Sequence, residues 1–307
     1  MNTTPSPVPH PVPHPVPSVT SGRALVLGGG GSTGNAWLIG VLAGLADAGL
    51  DVTGAHRVIG TSAGSTAAAQ IAGASPAELY AAVMDAPLPQ RLRAAGTSSA
   101  GSPVPNHLER TGRIIAGSAT AADMRRRMGA AAIDMAEDYD HSGRWRATVA
   151  ARLTTQEWPE HELLIPAVDA STGEPAVFDR SGGIDLVDAV AASCSSGSAY
   201  RIGDRSYIDG GYRRNENADL ATGCGRVLVL SPFGGRTRMP LEWGMQLAAQ
   251  VEELQAHGSR VEVISPGSGA EHMFGANAMD PSLRPAAAHA GYDQGKDLAG
   301  KLTKFWQ

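Results

Sequence analysis

Cysteine is nearly missing: Cys194 and Cys224 are the only two in 307 residues. Two thiols so placed build neither a disulfide framework nor a thiolate metal site, and a reducing, cytoplasmic compartment is expected. Lysine is almost as scarce, confined to Lys296, Lys301 and Lys304 near the C-terminus. A Ser-x-x-Lys acyl-transfer site would need lysine at Ser65, three residues after Ser62, so that chemistry is excluded. Excess positive charge is absent too. The net charge is −5, which gives a nucleic-acid partner no support, and Arg113 with the run Arg125-Arg126-Arg127 reads as a solvated helix face. No apolar run is long enough to cross a bilayer, and the N-terminus lacks the cationic start and continuous apolar segment of a secretory signal.

What is present is a globular composition, with 42% apolar and 18% charged residues. Residues 1–21 carry proline at nearly every second position around His10 and His14, and a disordered or polyproline-II tail is expected there. Those two histidines are read as incidental rather than as metal ligands. Residues 22–307 are expected to form one domain, with a helical insert at about 75–140.

The domain opens on the apolar run Ala24–Leu27, the length of a buried parallel strand, followed by glycines from Gly28 to Gly34. Ala36, Leu38, Ile39, Leu42 and Leu45 then recur at helical spacing until Gly49. A second strand through Val58 and Ile59 runs into Gly60-Thr61-Ser62-Ala63-Gly64, and alanines after it favour another helix. This is strand, sharp turn, helix, with Ser62 at the apex. Glycines at such an elbow remove Cβ atoms where strand and helix cross, and the helix aims free N–H groups at the serine hydroxyl.

The first glycine loop admits three readings. Gly29-x-Gly31-x-x-Gly34 fits a dinucleotide fingerprint, but Gly60-Thr61 stands where an acidic residue is wanted. A phosphate loop would need Lys-Ser/Thr where Asn35-Ala36 follows. An oxyanion hole uses the loop's main-chain N–H groups and is the only reading that also uses Ser62.

Further along, helices are expected from Ser75 to about Tyr139, broken at Pro87-Leu88-Pro89 and over residues 96–103, with a helix start at Thr120-x-x-Asp123. Strands are expected over 144–154 and 162–168, with a hairpin-like piece at 176–179. A short helix over 185–192 leads into the small-residue loop Ser193 to Ala199. Ser206–Asp209 reads as a strand delivering an aspartate into Gly210-Gly211. Strands at 227–230 and 261–264 bracket a helix from about Leu241 to His257, and a last helix runs from about Ser282 to Trp306.

Gly29-Gly30-Gly31 with Gly34 after one strand, Gly60-x-Ser62-x-Gly64 after the next, and Asp209-Gly210-Gly211 much later together resemble the patatin-like phospholipases. The resemblance implies a three-layer α/β fold with a central, mainly parallel sheet flanked by helices. It implies a metal-independent, cofactor-free acyl hydrolase of phospholipids or related lipids, with Ser62 as nucleophile and Asp209 as base. It also implies an oxyanion hole at Gly29, Gly30, Gly31 and Ala63, with Gly34, Gly60, Gly64, Gly210 and Gly211 shaping the motifs. A lipid or acyl-ester partner and transient membrane-surface contact follow from the same resemblance. Two departures stand out: Thr33 occupies a place usually held by Arg or Lys, and Ser195–Ala199 replaces a proline-containing loop. Two other readings stay open: a non-catalytic lipid-binding scaffold, and a Ser-His-Asp esterase drawing on His257, His272 or His289.

Overall fold

The computed structural model describes residues 20–86, 103–137 and 141–307. In chain order they form β1 (Thr20–Leu27), α1 (Gly31–Asp47), β2 (Arg57–Gly60), α2 (Ala63–Ile71), α3 (Pro76–Asp85), α4 (Pro103–Ala116), α5 (Ala121–Glu137) and α6 (Ser142–Ala150). Then come β3 (Glu162–Asp169), β4 (Pro175–Phe178), α7 (Leu186–Ser193), β5 (Tyr200–Ile202), β6 (Arg205–Asp209), β7 (Cys224–Leu230), α8 (Leu247–Ala256), β8 (Arg260–Ile264) and α9 (Arg284–Trp306). The strands make one mixed sheet in the order β5-β6-β3-β2-β1-β7-β8, with β4 also paired to β3. From β3 through β8 the neighbours are parallel, and β4, β5 and β6 add antiparallel pairs at one side.

Both faces of the sheet are covered, as a parallel sheet requires. Alternation along β1 and β7 divides the core. Leu25, Leu27, Leu228 and Leu230 pack with the apolar side of α1 and α9, while Ala24, Val26, Val227 and Val229 pack with Leu247 and Leu254 of α8. A third cluster joins Met124 and Met128 of α5 to Val168 and Ile208 at the antiparallel side.

Helices α1 and α9 approach at backbone distance. A Cβ added to Gly40 or Gly44 would lie 2.0 Å from the carbonyl oxygens of Ala288 and Tyr292, and one added to Gly291 or Gly295 would lie 2.4 Å from those of Trp37 and Val41. Only glycine fits there.

The register Leu27↔Gly60 places the turns after β1 and β2 side by side at one edge of the sheet. In open α/β sheets this carboxyl edge is where sites form. Helix α3 starts at the expected Ser75-Pro76, where Ser75 and Glu78 cap each other reciprocally, and the Asp123 N–H donates to Thr120 Oγ1 at the expected start of α5.

Three expectations need correction or lie out of reach. Residues 144–154 are not a strand: α6 occupies Ser142–Ala150, with Val149 buried and the Trp145 indole donating to Ala191 O at 3.0 Å. Trp145 and Val149 share a face in either conformation, because two strand steps of two and one helical step of four coincide. The helix expected from Leu241 begins only at Leu247. Leu241–Trp243 instead make a separate 3-10 turn, ended by Gly244 in the left-handed region at φ 63°. Residues 1–19 of the expected tail, Pro87-Leu88-Pro89 and residues 96–102 lie outside the described residues, while Thr20 and Ser21, expected to end the tail, open β1 instead.

Candidate active site

Ser62 sits between the end of β2 and the first residue of α2 with φ 52° and ψ −117°. A non-glycine residue there stores about 1–3 kcal/mol of strain, so its surroundings must hold it. They do so from several directions. The Ser62 N–H donates to Ser193 Oγ at 3.0 Å, and the Ser62 carbonyl accepts from Ser65 Oγ at 2.7 Å and from Cys194 Sγ at 3.1 Å. Gly64 is required because a Cβ on it would lie 1.9 Å from Leu27 O, where α2 crosses β1. At Gly60 the same atom would meet Gly64 O at 2.6 Å.

Asp209 ends β6 and is only 7% exposed. Its N–H donates to Ser195 O at 2.9 Å. Its Oδ1 accepts from the Gly211 N–H at 2.8 Å, and its Oδ2 accepts from Ser62 Oγ, also at 2.8 Å. Residues 147 positions apart in the chain thus meet through one hydrogen bond. Burial pushes the Asp209 carboxyl up to about 6, against the opposing pull of the hydrogen bonds from Gly211 and Ser62. Gly210 lies hard against Pro166 O, where a Cβ would come within 2.2 Å.

The glycine loop divides its N–H groups between structure and site. Gly29 donates to Asn215 O at 3.0 Å, so its N–H is already spent and the expectation that it serves as an oxyanion donor is corrected. Gly34 donates to Gly30 O as the first bond of α1. Among the described residues, the N–H groups of Gly30, Gly31 and Ala63 have no partner. Gly31, at φ 65°, begins α1 and Ala63 begins α2, so two helix N-termini and their unpaired donors meet near Ser62.

Ser62, Asp209, Gly29, Gly30, Gly31 and Gly211 share a cavity of about 1310 Å³. Its walls are mostly apolar, from Leu108 and Ile115 of α4, Met135 of α5, and Phe233, Phe274 and Met279. That suits a long acyl chain better than a small polar substrate.

Several supporting residues were not legible in the sequence. Glu216 is almost completely buried, its carboxylate accepts from Asn215 Nδ2 at 2.9 Å and Ser231 Oγ at 2.7 Å, and burial pushes its proton affinity up. Asn217, in the left-handed region at φ 54°, donates to Thr61 Oγ1 and Gly210 O and so ties the serine turn to the aspartate turn. Thr33 is fully buried and donates to Met273 O at 2.9 Å, while its N–H donates to Ala278 O. Arg284 donates to Ser32 O and Asn35 Oδ1. Residues 273–284 therefore brace the glycine loop. His257 and His272 contact only nearby backbone carbonyls, and His289 pairs with Asp293. Among the described residues none of these three bonds Ser62 or Asp209. Among the described residues, His107 on α4 is the histidine that lines the cavity.

Among the described residues no cluster of three or more His, Cys, Asp or Glu could hold a metal ion, and no helix is long and apolar enough to cross a membrane.

The sequence pattern of one family, patatin-like phospholipase, matches residues 25–222. Among solved structures, VipD from Legionella pneumophila is similar at 14% identity and TM-score 0.42, over 92% of this chain and 68% of that one. ExoU, solved with SpcU from Pseudomonas aeruginosa, is similar at 17% identity and TM-score 0.40, over 94% of this chain and 54% of that one. No curated protein matches.

Proposed function

We infer, for a chain that belongs to the patatin-like phospholipase family, that it hydrolyses acyl esters of lipids with Ser62 as nucleophile and Asp209 as general base. The observation that carries this reading is the 2.8 Å hydrogen bond from Ser62 Oγ to Asp209 Oδ2 at a strained elbow.

Hydroxyl attack needs a base that is ionised yet not too weak. An ordinary aspartate is a poor base for a hydroxyl, whereas one raised to about 6 is ionised at neutral pH and closer to the useful range. As Ser62 Oγ bonds to the ester carbonyl carbon, its proton passes to Asp209 Oδ2, and the carbonyl oxygen takes up negative charge. The unpartnered N–H groups of Gly30 and Gly31, which line the same cavity as Ser62, support a role as donors to that oxygen. Collapse of the tetrahedral intermediate breaks the ester C–O bond, and the proton on Asp209 goes to the leaving alkoxide. Water then attacks the acyl-serine with Asp209 as base again, releasing the fatty acid and restoring Ser62. The apolar walls of the cavity hold the acyl chain, and transient contact with a lipid surface would supply the substrate.

The test is intact-mass labelling with a fluorophosphonate on wild type, Ser62→Ala and Asp209→Asn. One adduct on wild type, absent from Ser62→Ala and slowed at least about 100-fold in Asp209→Asn, is expected. Labelling that survives in Ser62→Ala would overturn the assignment, and a folded wild type that forms no adduct would point to a lipid-binding scaffold instead.

A further inference from the structure

Arginines gather on the otherwise mostly apolar cavity that holds Ser62, in a chain whose net charge is −5. Arg110, Arg113, Arg236 and Arg238 all line it, against the carboxylates of Asp209, Glu109 and Glu271. Arg113 is engaged with Glu109, one helical turn away on α4. Arg110, Arg236 and Arg238 have no carboxylate partner among the described residues.

Two of these are held in place rather than waving in solvent. The Arg238 guanidinium donates to Thr111 Oγ1 at 2.8 Å and to Leu108 O at 2.7 Å, which docks it on the middle of α4. Arg110 lies 3.4 Å from His107 Nδ1 and against the sulfur of Met135. Both are close enough to Tyr212, three residues after Asp209, to oppose the rise that burial imposes on its hydroxyl, and both lower the proton affinity of His107. The Tyr212 hydroxyl donates to Ser196 O at 2.7 Å, so this wall joins the aspartate turn directly. Thr33, meanwhile, is buried and bonded to Met273 O, and it presents no charge in the glycine loop.

We propose that Arg110 and Arg238 form an anion subsite for the head group of the ester, selecting net-anionic lipids over zwitterionic ones. The proposal rests on the acyl-hydrolase reading of the same cavity. The physical basis is simple. Two preorganised guanidiniums offer charge-assisted hydrogen bonds to phosphate oxygens. Together with Arg236 they outnumber Glu271 and Asp209, the carboxylates on the same cavity that pair with no arginine among the described residues, so the net field there disfavours a choline-type cation.

The test compares kcat/KM for dihexanoyl phosphatidylglycerol and dihexanoyl phosphatidylcholine in wild type, Arg110→Gln, Arg110→Gln/Arg238→Gln and Arg110→Lys/Arg238→Lys. Wild type should favour the phosphatidylglycerol. The double Gln variant should lower kcat/KM for the phosphatidylglycerol by about 10- to 100-fold, the loss expected for two charged hydrogen bonds to one anion. It should lower kcat/KM less for the phosphatidylcholine, because repulsion of the choline is relieved, and so should bring the ratio toward one; the Lys pair should restore part of it. The single variant Arg110→Gln, which leaves the Arg238 bonds intact, should lie between. A ratio unchanged in the double Gln variant overturns the proposal.

A binding arm is independent of turnover: calorimetry on Ser62→Ala protein with the same two lipids and with inorganic phosphate. Phosphatidylglycerol affinity lost with the arginines in this background, while the protein with Ser62 intact cleaves neither ester, would uphold the subsite and sink the hydrolase reading. Ester cleavage with unaltered lipid selectivity and binding would do the reverse. Phosphate binding as tightly as the lipid would identify a free anion as the occupant and overturn the head-group assignment.

Discussion

Replacing Asp209 by asparagine should abolish turnover and make the protein more stable, by an amount that depends on pH. The carboxyl moves from its ordinary 3.8 to about 6 on folding, mainly through burial. Two pH units at roughly 1.36 kcal/mol each amount to about 3 kcal/mol. The sign follows from proton counts. Below about pH 4 both folded and unfolded chains hold the proton and nothing is lost. Between about 4 and 6 the unfolded chain releases it first, so stability falls as pH rises, and above about 6 the full penalty of a buried carboxylate is in force. Asparagine never ionises, and its side chain can still accept from Gly211 N–H and donate to Ser62 Oγ, so the bonds at 2.8 Å keep partners. Urea unfolding of wild type and Asp209→Asn at about pH 4.5 and about pH 7.5 should therefore show the variant's advantage growing by about 2–3 kcal/mol across that interval. Ester kcat/KM of the wild type should rise over the same interval with an apparent pKa near 6. A stability difference that is the same at both pH values would refute the reasoning, because it would mean that burial of this carboxyl costs nothing.

Ser62→Gly and Ser62→Ala both lose the hydroxyl, but only glycine relaxes φ 52°, ψ −117°. Ser62→Gly should be more stable than Ser62→Ala by about 1 kcal/mol, the strain relieved less glycine's entropy cost, and neither should take a fluorophosphonate label. On the α1–α9 contact, Gly44→Ala would force a Cβ to 2.0 Å from Tyr292 O, whereas a Cβ on Gly300 meets nothing within 4 Å. Thermal melts should show Gly44→Ala destabilised by at least about 2 kcal/mol and Gly300→Ala unchanged or slightly stabilised; equal melting temperatures would contradict the close packing.

The parts of this site that could be read from sequence are those whose chemistry is local. Gly60-x-Ser62-x-Gly64 carries its own reason, since Gly64 clears Leu27 O and the helix begins one residue after the serine. Asp209-Gly210-Gly211 is similar, with Asp209 bonding the N–H two residues on. Where two periods coincide, as at Trp145 and Val149, the pattern does not choose, and packing on Ala191 decides for helix. The support beneath the site was illegible for another reason. Glu216 has no neighbouring motif, and its burial is explained only once Ser231 and Asn215 surround it. Gly29 looked like a donor to the reaction until Asn215 O, 186 residues away, claimed its N–H. Likewise, the arginines of α4 and of residues 236–238 become one surface only through the bonds of Arg238 to Thr111 and Leu108.

The brace on the glycine loop ties the proposed site to a part of the chain made long after it. Ser62 and Asp209, the proposed reacting side chains, lie within the first 209 residues, but Thr33 is seated by Met273 and Ala278, Ser32 by Arg284, and α1 by the glycine face of α9. Synthesis runs from N- to C-terminus, so a nascent chain emerging from the ribosome exposes the proposed nucleophile and base before the segment that braces the glycine loop exists. On the proposed mechanism the order of the chain thus works as a timer, because the glycine loop is braced only once α9 has closed on α1.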